Sequence, residues 1–415
     1  MDVLELKRLM RKEKNYLTSG WDQVDTAYLE ERIRGYLESW KKNQAVDIDP
    51  DVEAIATKQL CDDFTGFGPI RDLLEDTAVT EIMINGPENI FVEQNGRTVQ
   101  SSAAFDDDAH LEYVVNHMIE HSGRRVDQAS PCADFSLSDG SRVNVTIPPL
   151  SVGSTTVTIR KLTQAIDSLD ALAAFGTLDA RMANFLVDCM NGGVNMLFCG
   201  ATGTGKTTTI NILSQYIKDS GRIITIEDTL ELGLGQGNVV RLLTRPADIH
   251  GQGEISMRFL FTNALRMRPS RLILGEIRGP EAMEYIQAVN SGHEGTLAVL
   301  HAATPKDAVS RLETMALYAG LQLPIWSIRN QIASGVDLII QHAQLPDGSR
   351  KITHITELIG MDKDEVVLKD IFRYETEETD DPEKVQGKFV AFDPPGFFAE
   401  LRKRGVHMDE GIFQN

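Results

Sequence analysis

The sequence predicts an α/β protein, in which N-terminal helices and a smaller α/β domain precede a larger domain of alternating strands and helices. Three observations support this class. Strand-like and helix-like segments alternate from residue 169 to about residue 374, as in βαβ units around a parallel sheet. A glycine-rich loop lies between an apolar strand and a helix. Finally, 415 residues are too many for one ordinary core, so we expect two or more domains.

The segments divide the chain into four parts. Residues 1–48 have apolar side chains at roughly helical spacing and a break at Ser19–Gly20, which predicts an N-terminal helical segment. Residues 49–162 are predicted to form an α/β domain. Its helices span about 52–64 and 111–122, and its short strands lie near 81–84, 90–93, 142–147 and 155–160. Residues 163–374 form the larger domain, and 375–415 an acidic linker and tail.

Within the larger domain, turn and cap residues locate the elements. Residues 194–199 form a buried-type strand before the glycine-rich loop, and further strands are expected at 222–226, 271–275 and 295–300. Ser256 is a helix cap, and Thr304 is a cap followed by a proline at the first helical position. Residues 336–342 and 351–357 are predicted to form a hairpin through Asp347–Gly348.

Composition excludes several classes of protein. The formal net charge is −20, with 61 acidic against 41 basic residues, which argues against sequence-independent wrapping of nucleic acid. The N-terminus has no signal-peptide pattern, and no apolar run approaches the ~18 residues that span a bilayer. The four cysteines include no C-x-x-C pair that would indicate a zinc or redox site. We therefore expect a cytoplasmic protein that reaches a membrane only through partners.

The glycine-rich loop carries the strongest chemical signal. Residues 200–207 match the pattern G-x-x-x-x-G-K-[ST] completely, with the strand before it and the helix after it that the pattern requires. Its glycines let consecutive backbone N–H groups point inward, forming an anion-binding nest at a helix N-terminus. Lys206 is expected to reach the β- and γ-phosphates of ATP, and the Thr207 hydroxyl to bind Mg²⁺. The predicted ATP-binding residues are Gly200, Ala201, Thr202, Gly203, Thr204, Gly205, Lys206, Thr207 and Thr208.

Acidic and histidine side chains follow neighbouring strands of the predicted sheet. Glu227 follows the strand at 222–226, and Glu276 follows the strand at 271–275. Ligands gather at the carboxyl ends of parallel strands, so both are candidates to hold a Mg²⁺-bound water or polarise the attacking one. His301 ends the next strand and His293 precedes it; either could position the γ-phosphate, His301 being the stronger candidate.

Two arginines in the preceding domain are candidates for a second role. Arg142 and Arg160 lie in predicted strands outside the P-loop domain. Ordinary salt bridging would explain them, but each could also act as an arginine finger on the γ-phosphate. That role requires this domain to lean over an ATP site of the same subunit or of an adjacent one.

Further motifs stand in a fixed order around the P-loop. Before it come Gly123–Asp127, Asp139–Asn144 and Thr158–Lys161. After it come Thr225–Asp228, Leu274–Arg278 and Ser291–His301. In this order the sequence resembles the type II/type IV secretion ATPase superfamily, and most closely its CpaF-like tight-adherence (Tad) pilus branch, over about residues 52–357. The three later motifs are similar to the family's Asp box, atypical Walker B motif and His box.

This resemblance implies a homo-hexamer of subunits, each with an N-terminal domain and a RecA-like P-loop ATPase domain. ATP-driven closing of the domains would push on an inner-membrane platform protein, with the ring at the inner face of the cytoplasmic membrane. By the family pattern Lys206 and Thr207 bind ATP·Mg²⁺, Glu276 activates water, and Glu227 assists at the metal. Arg142 and Arg160 act as arginine fingers.

The sequence departs from the family at some positions and leaves other functions open. The tetracysteine loop of the type II branch is absent, and Ser270 stands where many relatives carry an acidic residue. Open alternatives are a nucleotide-gated scaffold with little hydrolysis, a pilus retraction motor, and a small-molecule kinase, for which the paired His and Glu have no natural role. A DNA-translocating motor is disfavoured by the charge.

Overall fold

The computed structural model describes residues 2–18, 26–94, 96–120, 122, 124–161, 166–217, 221–245, 247, 252–377 and 385–414. It forms two compact units, Met1–Thr163 and Gln164–Asn415, and both are α/β, as the sequence predicts. The predicted helix break at Ser19–Gly20 and the predicted boundary at residues 162–163 lie outside the described residues. The four-part division of the chain therefore stays a prediction.

The first unit begins with helices that share one apolar core. They are α1 (Val3–Arg11), α2 (Lys14–Leu17), α3 (Thr26–Gln44) and α4 (Pro50–Phe64). A capping box of Asp2 and Glu5 starts α1, and Asp49 with Pro50 starts α4, so local sequence sets where both begin. Leu6, Met10, Ile33, Leu37 and Leu60 are fully buried among these helices.

An antiparallel six-stranded sheet forms the rest of the first unit. Its strands are β1 (Val79–Asn85), β2 (Ile90–Gln94), β3 (Arg97–Gln100), β4 (Cys132–Ser136), β5 (Arg142–Thr146) and β6 (Thr156–Arg160), in the order β3-β2-β1-β6-β5-β4. Helices α5 (Arg71–Glu75) and α6 (Asp108–Glu120) accompany it. The four predicted strands are confirmed. The edge strands β3 and β4 were not expected; β3 is exposed along its length, so it lacks the alternation that marks a strand.

The second unit is built on a nine-stranded sheet. Its strands are β7 (Met196–Cys199), β8 (Ile223–Glu227), β9 (Val239–Leu243), β10 (Arg271–Ile277), β11 (Leu297–Leu300), β12 (Leu338–Gln344), β13 (Arg350–Asp362), β14 (Glu365–Glu377) and β15 (Gln386–Ala391). The order is β15-β14-β13-β12-β7-β11-β10-β8-β9, and β12 through β9 are parallel. All carboxyl ends of this RecA-like parallel part therefore meet at one edge.

Helices cover both faces of this sheet. They are α7 (Leu169–Ala174), α8 (Ala180–Gly192), α9 (Lys206–Ser214), α10 (Met257–Ala264), α11 (Glu281–Asn290), α12 (Pro305–Leu317), α13 (Ile325–Gly335) and α14 (Phe398–Lys403). Along β7, Met196 and Phe198 face one core and Leu197 and Cys199 the other, the pattern of a central strand buried on both faces. The predicted caps at Ser256 and Thr304 are confirmed.

The antiparallel strands after β12 extend the sheet on one side. The predicted hairpin between β12 and β13 is confirmed, and Gly348 adopts the positive φ that its turn requires. Beyond it, β15 pairs with β14, and Phe413 contacts Phe372 and Phe185 in the core. Among the described residues, none of the helices combines the length and apolar character needed to cross a bilayer.

Candidate nucleotide site

The P-loop occupies the bend between β7 and α9, in the middle of the parallel strands. Gly200 and Gly205 have φ values of +149° and +95°, a region that side chains rarely adopt. A Cβ atom on Gly200 would come within 2.5 Å of the His342 carbonyl oxygen, so only glycine fits there. Gly205 immediately precedes the first turn of α9. The loop thus presents backbone N–H groups at a helix N-terminus, the arrangement that binds phosphate.

Lys206 and Thr207 lie at the start of α9, where the sequence predicts contacts with phosphate and Mg²⁺. Lys206 is only 6% exposed, and its Nζ donates to the carbonyl oxygens of Gly200 and Ala201 at 3.0 and 2.6 Å. The Thr207 hydroxyl donates to Glu231 Oε2 at 3.1 Å. A buried ammonium group within the loop suits a polyphosphate, and a hydroxyl beside a carboxylate suits Mg²⁺.

Glu227 lies at the end of β8 and is almost completely buried. Its Oε1 accepts the backbone N–H groups of Glu231 and Leu232 at 2.8 and 2.9 Å, and its Oε2 accepts the Thr225 hydroxyl at 3.2 Å. Burial raises the pKa of Glu227 above its ordinary value, although these hydrogen bonds oppose the rise. Glu227 therefore folds the following loop back on itself.

The folded loop after β8 brings a further acidic residue, Glu231, to the site, and its sequence pattern does not predict this. Glu231 stands four residues beyond the strand, in a loop where no periodic pattern marks one acid above another. The two hydrogen bonds from the loop to Glu227 turn the chain so that the Glu231 carboxylate reaches Thr207. The only available signal was the acidic stretch itself, Glu227–Glu231.

Glu276 lies at the carboxyl end of β10, held by two cationic or hydrogen-bonding groups. Arg278 Nη2 donates to its Oε2 at 2.7 Å, and His301 Nε2 lies 3.0 Å from its Oε1. Burial alone would raise the pKa of Glu276, but the hydrogen bonds and charges of His301 and Arg278 outweigh it and lower the pKa to about 2. The carboxylate is therefore ionised at neutral pH, with a fixed orientation.

A β-bulge in β10 sets the position of the Glu276 side chain. The register between β10 and β11 shifts between Leu274 and Ile277, and such bulges re-aim side chains beside active sites. Gly275 lies next to Glu227 on β8, where a Cβ would come within 3.1 Å of Glu227 Cγ. A glycine between the strand and Glu276 thus lets the two acidic strand ends approach each other.

The two predicted histidines occupy opposite edges of the sheet. His301 follows the carboxyl end of β11 and contacts Glu276. His293 precedes the amino end of β11, and the neighbouring Glu294 pairs with Arg404 at 3.1 Å. The structure therefore brings His301, but not His293, to the edge that carries the P-loop.

Arg142 and Arg160 lie in the first unit, on β5 and β6. They are direct register partners across the antiparallel pair, so two positive charges share one face of the sheet. The adjacent Lys161 has a different role, because its Nζ donates to the carbonyl oxygens of Leu73 and Asp76 at 3.2 and 2.6 Å, at the end of α5. In the motif Thr158–Lys161, Arg160 is therefore the register partner of Arg142, whereas Lys161 has a structural role at the end of α5.

The donors at this edge suit magnesium held together with a nucleotide. They are oxygen atoms of Thr207, Glu231 and Glu276, whereas both carboxylate oxygens of Glu227 accept hydrogen bonds from the protein. Within the part of the chain that the structure describes, no three His, Cys, Asp or Glu side chains are grouped to hold a metal ion by themselves. Mg²⁺ commonly takes one or two carboxylates and completes its shell with water and phosphate oxygens, so this donor set fits it.

Comparison with known proteins adds to this geometry. A family model described as type II/IV secretion system protein matches residues 63–358, which include the P-loop, Glu276 and both arginines. The chain belongs to this family. Its P-loop unit and the sheet of its first unit both lie largely within the matched region.

Individual relatives come from several bacteria. A putative conjugal transfer protein of Mycobacterium tuberculosis is 30% identical over 74% of this chain and 89% of its own length. VirB11 of Agrobacterium fabrum is 31% identical over 66% of this chain and 87% of its own. The type IV secretion system protein PtlH of Bordetella pertussis is 33% identical over 63% of this chain and 84% of its own.

Solved structures give weaker similarity. The VirB11 ATPase of Brucella suis, crystallised with sulphate, is 28% identical with a TM-score of 0.39, covering 70% of this chain and 95% of that one. The pilus retraction motor PilT with bound ADP is 19% identical with a TM-score of 0.49, covering 81% and 86%.

Proposed function

We propose that this chain is an ATP-hydrolysing motor that powers pilus assembly or protein secretion. The observation that carries the proposal is the position of Glu276, ionised and oriented by His301 and Arg278 at the carboxyl end of β10. The strand order separates β10 from the P-loop strand β7 by one strand, β11, and His301 directly follows the last residue of β11. A P-loop beside an oriented carboxylate suits attack of water on a γ-phosphate.

Each residue of the site has a role in this proposal. The P-loop, residues 200–208, binds the phosphates through its backbone N–H groups and Lys206. Thr207 and Glu231 hold Mg²⁺. Magnesium supplies charge neutralisation between the phosphates when it is bound. Glu276 orients the attacking water. With a pKa of about 2 it is a weak base, so it acts by positioning and electrostatics more than by removing a proton.

Glu227 supports the metal side indirectly, by folding the loop that carries Glu231. Arg142 and Arg160 serve as arginine fingers on the γ-phosphate of the same or an adjacent subunit. Their register pairing supports this role, because it brings both side chains to directly opposite positions on one face of the sheet, where they could contact the same phosphate group.

The assembled machine is proposed as a homo-hexamer at the inner face of the cytoplasmic membrane. It acts on an inner-membrane platform protein, and the chain itself is cytoplasmic, with no direct nucleic-acid partner. The motif order supports the CpaF-like tight-adherence pilus branch within the family. The relatives named as type IV secretion or conjugal transfer proteins keep secretion of other substrates as an equal outcome.

Substitution of the candidate water-orienting residue tests the proposal. Glu276→Gln keeps the size of the side chain and removes its charge, so ATP·Mg²⁺ should still bind while steady-state phosphate release falls by about 100-fold or more. Glu313→Gln is the matched control, since Glu313 is also a largely buried acid paired with an arginine, Arg329, at 2.9 Å. Wild-type turnover in Glu276→Gln would overturn the assigned role.

Phosphate release, gene deletion and electron microscopy distinguish the alternative functions. A nucleotide-gated scaffold would bind ATP but release little phosphate even in the wild type. A retraction motor would hydrolyse ATP, and deletion of its gene would increase surface fibres, whereas loss of an assembly motor would abolish them. Electron microscopy of the purified chain with ATP should show six-membered rings; a persistent monomer would contradict the proposed assembly.

A further inference from the structure

Strand β12 carries a buried amide side chain beside the P-loop that the proposed chemistry does not yet use. Gln341 is 2% exposed and pairs in register with Cys199, the last residue before the P-loop. The register between β12 and β13 shifts between Gln341 and His342. This is the second bulge at the carboxyl edge, after that at Glu276, and bulges there re-aim side chains.

The contacts of Gln341 link two parts of the candidate site. Its Nε2 donates to the carbonyl oxygen of Ala302 at 3.0 Å, and Ala302 directly follows His301. It also lies 3.3 Å from the carbonyl oxygen of His342, the atom against which Gly200 packs. One amide group therefore touches the backbone behind the P-loop and the backbone beside the histidine that orients Glu276.

Gln341 and the following His342 are both buried behind the P-loop. Burial, with a further effect of Lys206, lowers the pKa of His342 to about 3, so the ring behind the P-loop is neutral at physiological pH. The Oε1 atom of Gln341 is buried and has no hydrogen-bond partner among the described residues. An unsatisfied buried oxygen is costly, and an apolar side chain of the same size would avoid the cost. Packing alone does not explain a glutamine here.

We propose that Gln341 is a positioning residue for ATP hydrolysis: it fixes the distance between the P-loop and the His301–Ala302 segment. This inference rests on the proposed function and adds the element that couples phosphate binding to the orientation of Glu276. Because Gln341 acts through His301, its loss should impair the transition state more than the binding of nucleotide.

Gln341→Met tests the proposal, because methionine is similar in length and shape but lacks the amide. We expect ATP affinity within about threefold of wild type, and a kcat lower by about 10- to 100-fold, the range that small displacements of catalytic groups produce. Thermal stability should fall only slightly, because the loss of the unsatisfied Gln341 oxygen offsets part of the cost of removing the donor from the Ala302 and His342 carbonyl oxygens. Gln344→Met is the control, as this exposed amide on the same strand donates to the Gly348 carbonyl oxygen at 3.4 Å.

A binding probe separates positioning from a structural role. ADP with Mg²⁺ should raise the melting temperature of Gln341→Met as much as that of the wild type. Aluminium fluoride, which mimics the transferring phosphoryl group, should add a further rise only in the wild type. A lower melting temperature together with weaker ADP binding would show a structural role instead. Wild-type kcat in Gln341→Met would overturn this inference alone, whereas a wild-type protein that hydrolyses no ATP would overturn the proposed function.

Discussion

Two carboxylates in this molecule are each held by an arginine and a histidine, yet their surroundings are opposite. In the first unit, Asp63 on α4 accepts two hydrogen bonds from Arg11 at 2.7 and 2.9 Å, and His110 lies 2.8 Å from its other oxygen. The Asp63 and His110 side chains are each only 2% exposed. These contacts join α1, α4 and α6. The group is a closed structural clamp.

Glu276 in the second unit has the same partners and a different environment. Its side chain is 19% exposed, and Arg278 and His301, which hold it, are more exposed still. It follows a bulge at the carboxyl edge of a parallel sheet, where the P-loop also lies. The partner types alone therefore do not identify a functional site. Position on the sheet and access for a ligand distinguish the two groups.

The largest effect should come from breaking the clamp. Asp63→Ala removes the buried partner that Arg11 and His110 share, while Arg11 keeps its ion pair with Asp106 at 2.7 Å. We therefore expect a loss of about 3 kcal/mol of unfolding free energy, the lower end of the range for breaking a buried ion pair. Glu276→Gln should cost less than about 1 kcal/mol, because its partners can be solvated. Urea denaturation followed by circular dichroism measures both.

An exposed ion pair of the first unit serves as the control for Asp63→Ala. Glu75→Ala removes an exposed partner of Arg71, at 3.0 Å, and should change stability by less than about 1 kcal/mol. If Glu276→Gln lost as much stability as Asp63→Ala, the two groups would not differ as structural and functional sites, and the comparison would fail.

A third carboxylate, that of Asp337 just before β12, forms no ion pair within the part of the chain that the structure describes, and burial dominates its pKa. Burial raises the pKa of Asp337 to about 6, against the effect of the hydrogen bond from the Asn195 N–H at 2.8 Å. The folded state thus favours the protonated form of Asp337, so its ionised carboxylate lowers the free energy of unfolding above about pH 6. That cost declines as the pH falls from about 6 to about 4, the usual range of an unfolded aspartate.

Asp337→Asn should therefore stabilise the protein by about 2 kcal/mol at pH 7.5, and this gain should largely disappear by about pH 4. The asparagine keeps an oxygen that can accept from Asn195. Melting temperatures measured across this pH range provide the test, with the exposed Asp347→Asn as a control. A gain that did not depend on pH would show that the charge of Asp337 is not its cause.

Local patterns explain why much of the fold and part of the site could be predicted. The P-loop is a local signal, since its glycines, Lys206 and Thr207 are adjacent in the chain and their chemistry needs that spacing. The strand ends carrying Glu276 and His301 were predictable for a related reason: in a parallel sheet, residues after successive strands share one edge.

The remaining features depend on contacts between distant residues. Gln341 lies beside Cys199 because β12 pairs with β7, and no pattern near residue 341 reveals that neighbour. Glu231 reaches Thr207 only after Glu227 has folded the intervening loop. The bulges at residues 275–276 and 341–342 arise from the register between paired strands, which a single sequence does not specify at these positions.

The smallest effect we predict concerns the acid limb of the pH–rate profile. In the wild type, Arg278 and His301 keep Glu276 ionised down to about pH 2, so its protonation does not limit activity at mildly acidic pH. Arg278→Gln removes one of these groups and leaves burial less opposed, so the pKa of Glu276 should rise toward its ordinary value of 4.5.

We therefore expect kcat/KM of Arg278→Gln, relative to its own value at pH 7.5, to fall by about half near pH 4, where the wild type keeps its plateau. Circular dichroism at each pH confirms that both proteins remain folded. Arg329→Gln is the control, since this arginine pairs with Glu313 away from the P-loop edge. Superimposable acid limbs would mean that Arg278 does not set the ionisation of Glu276.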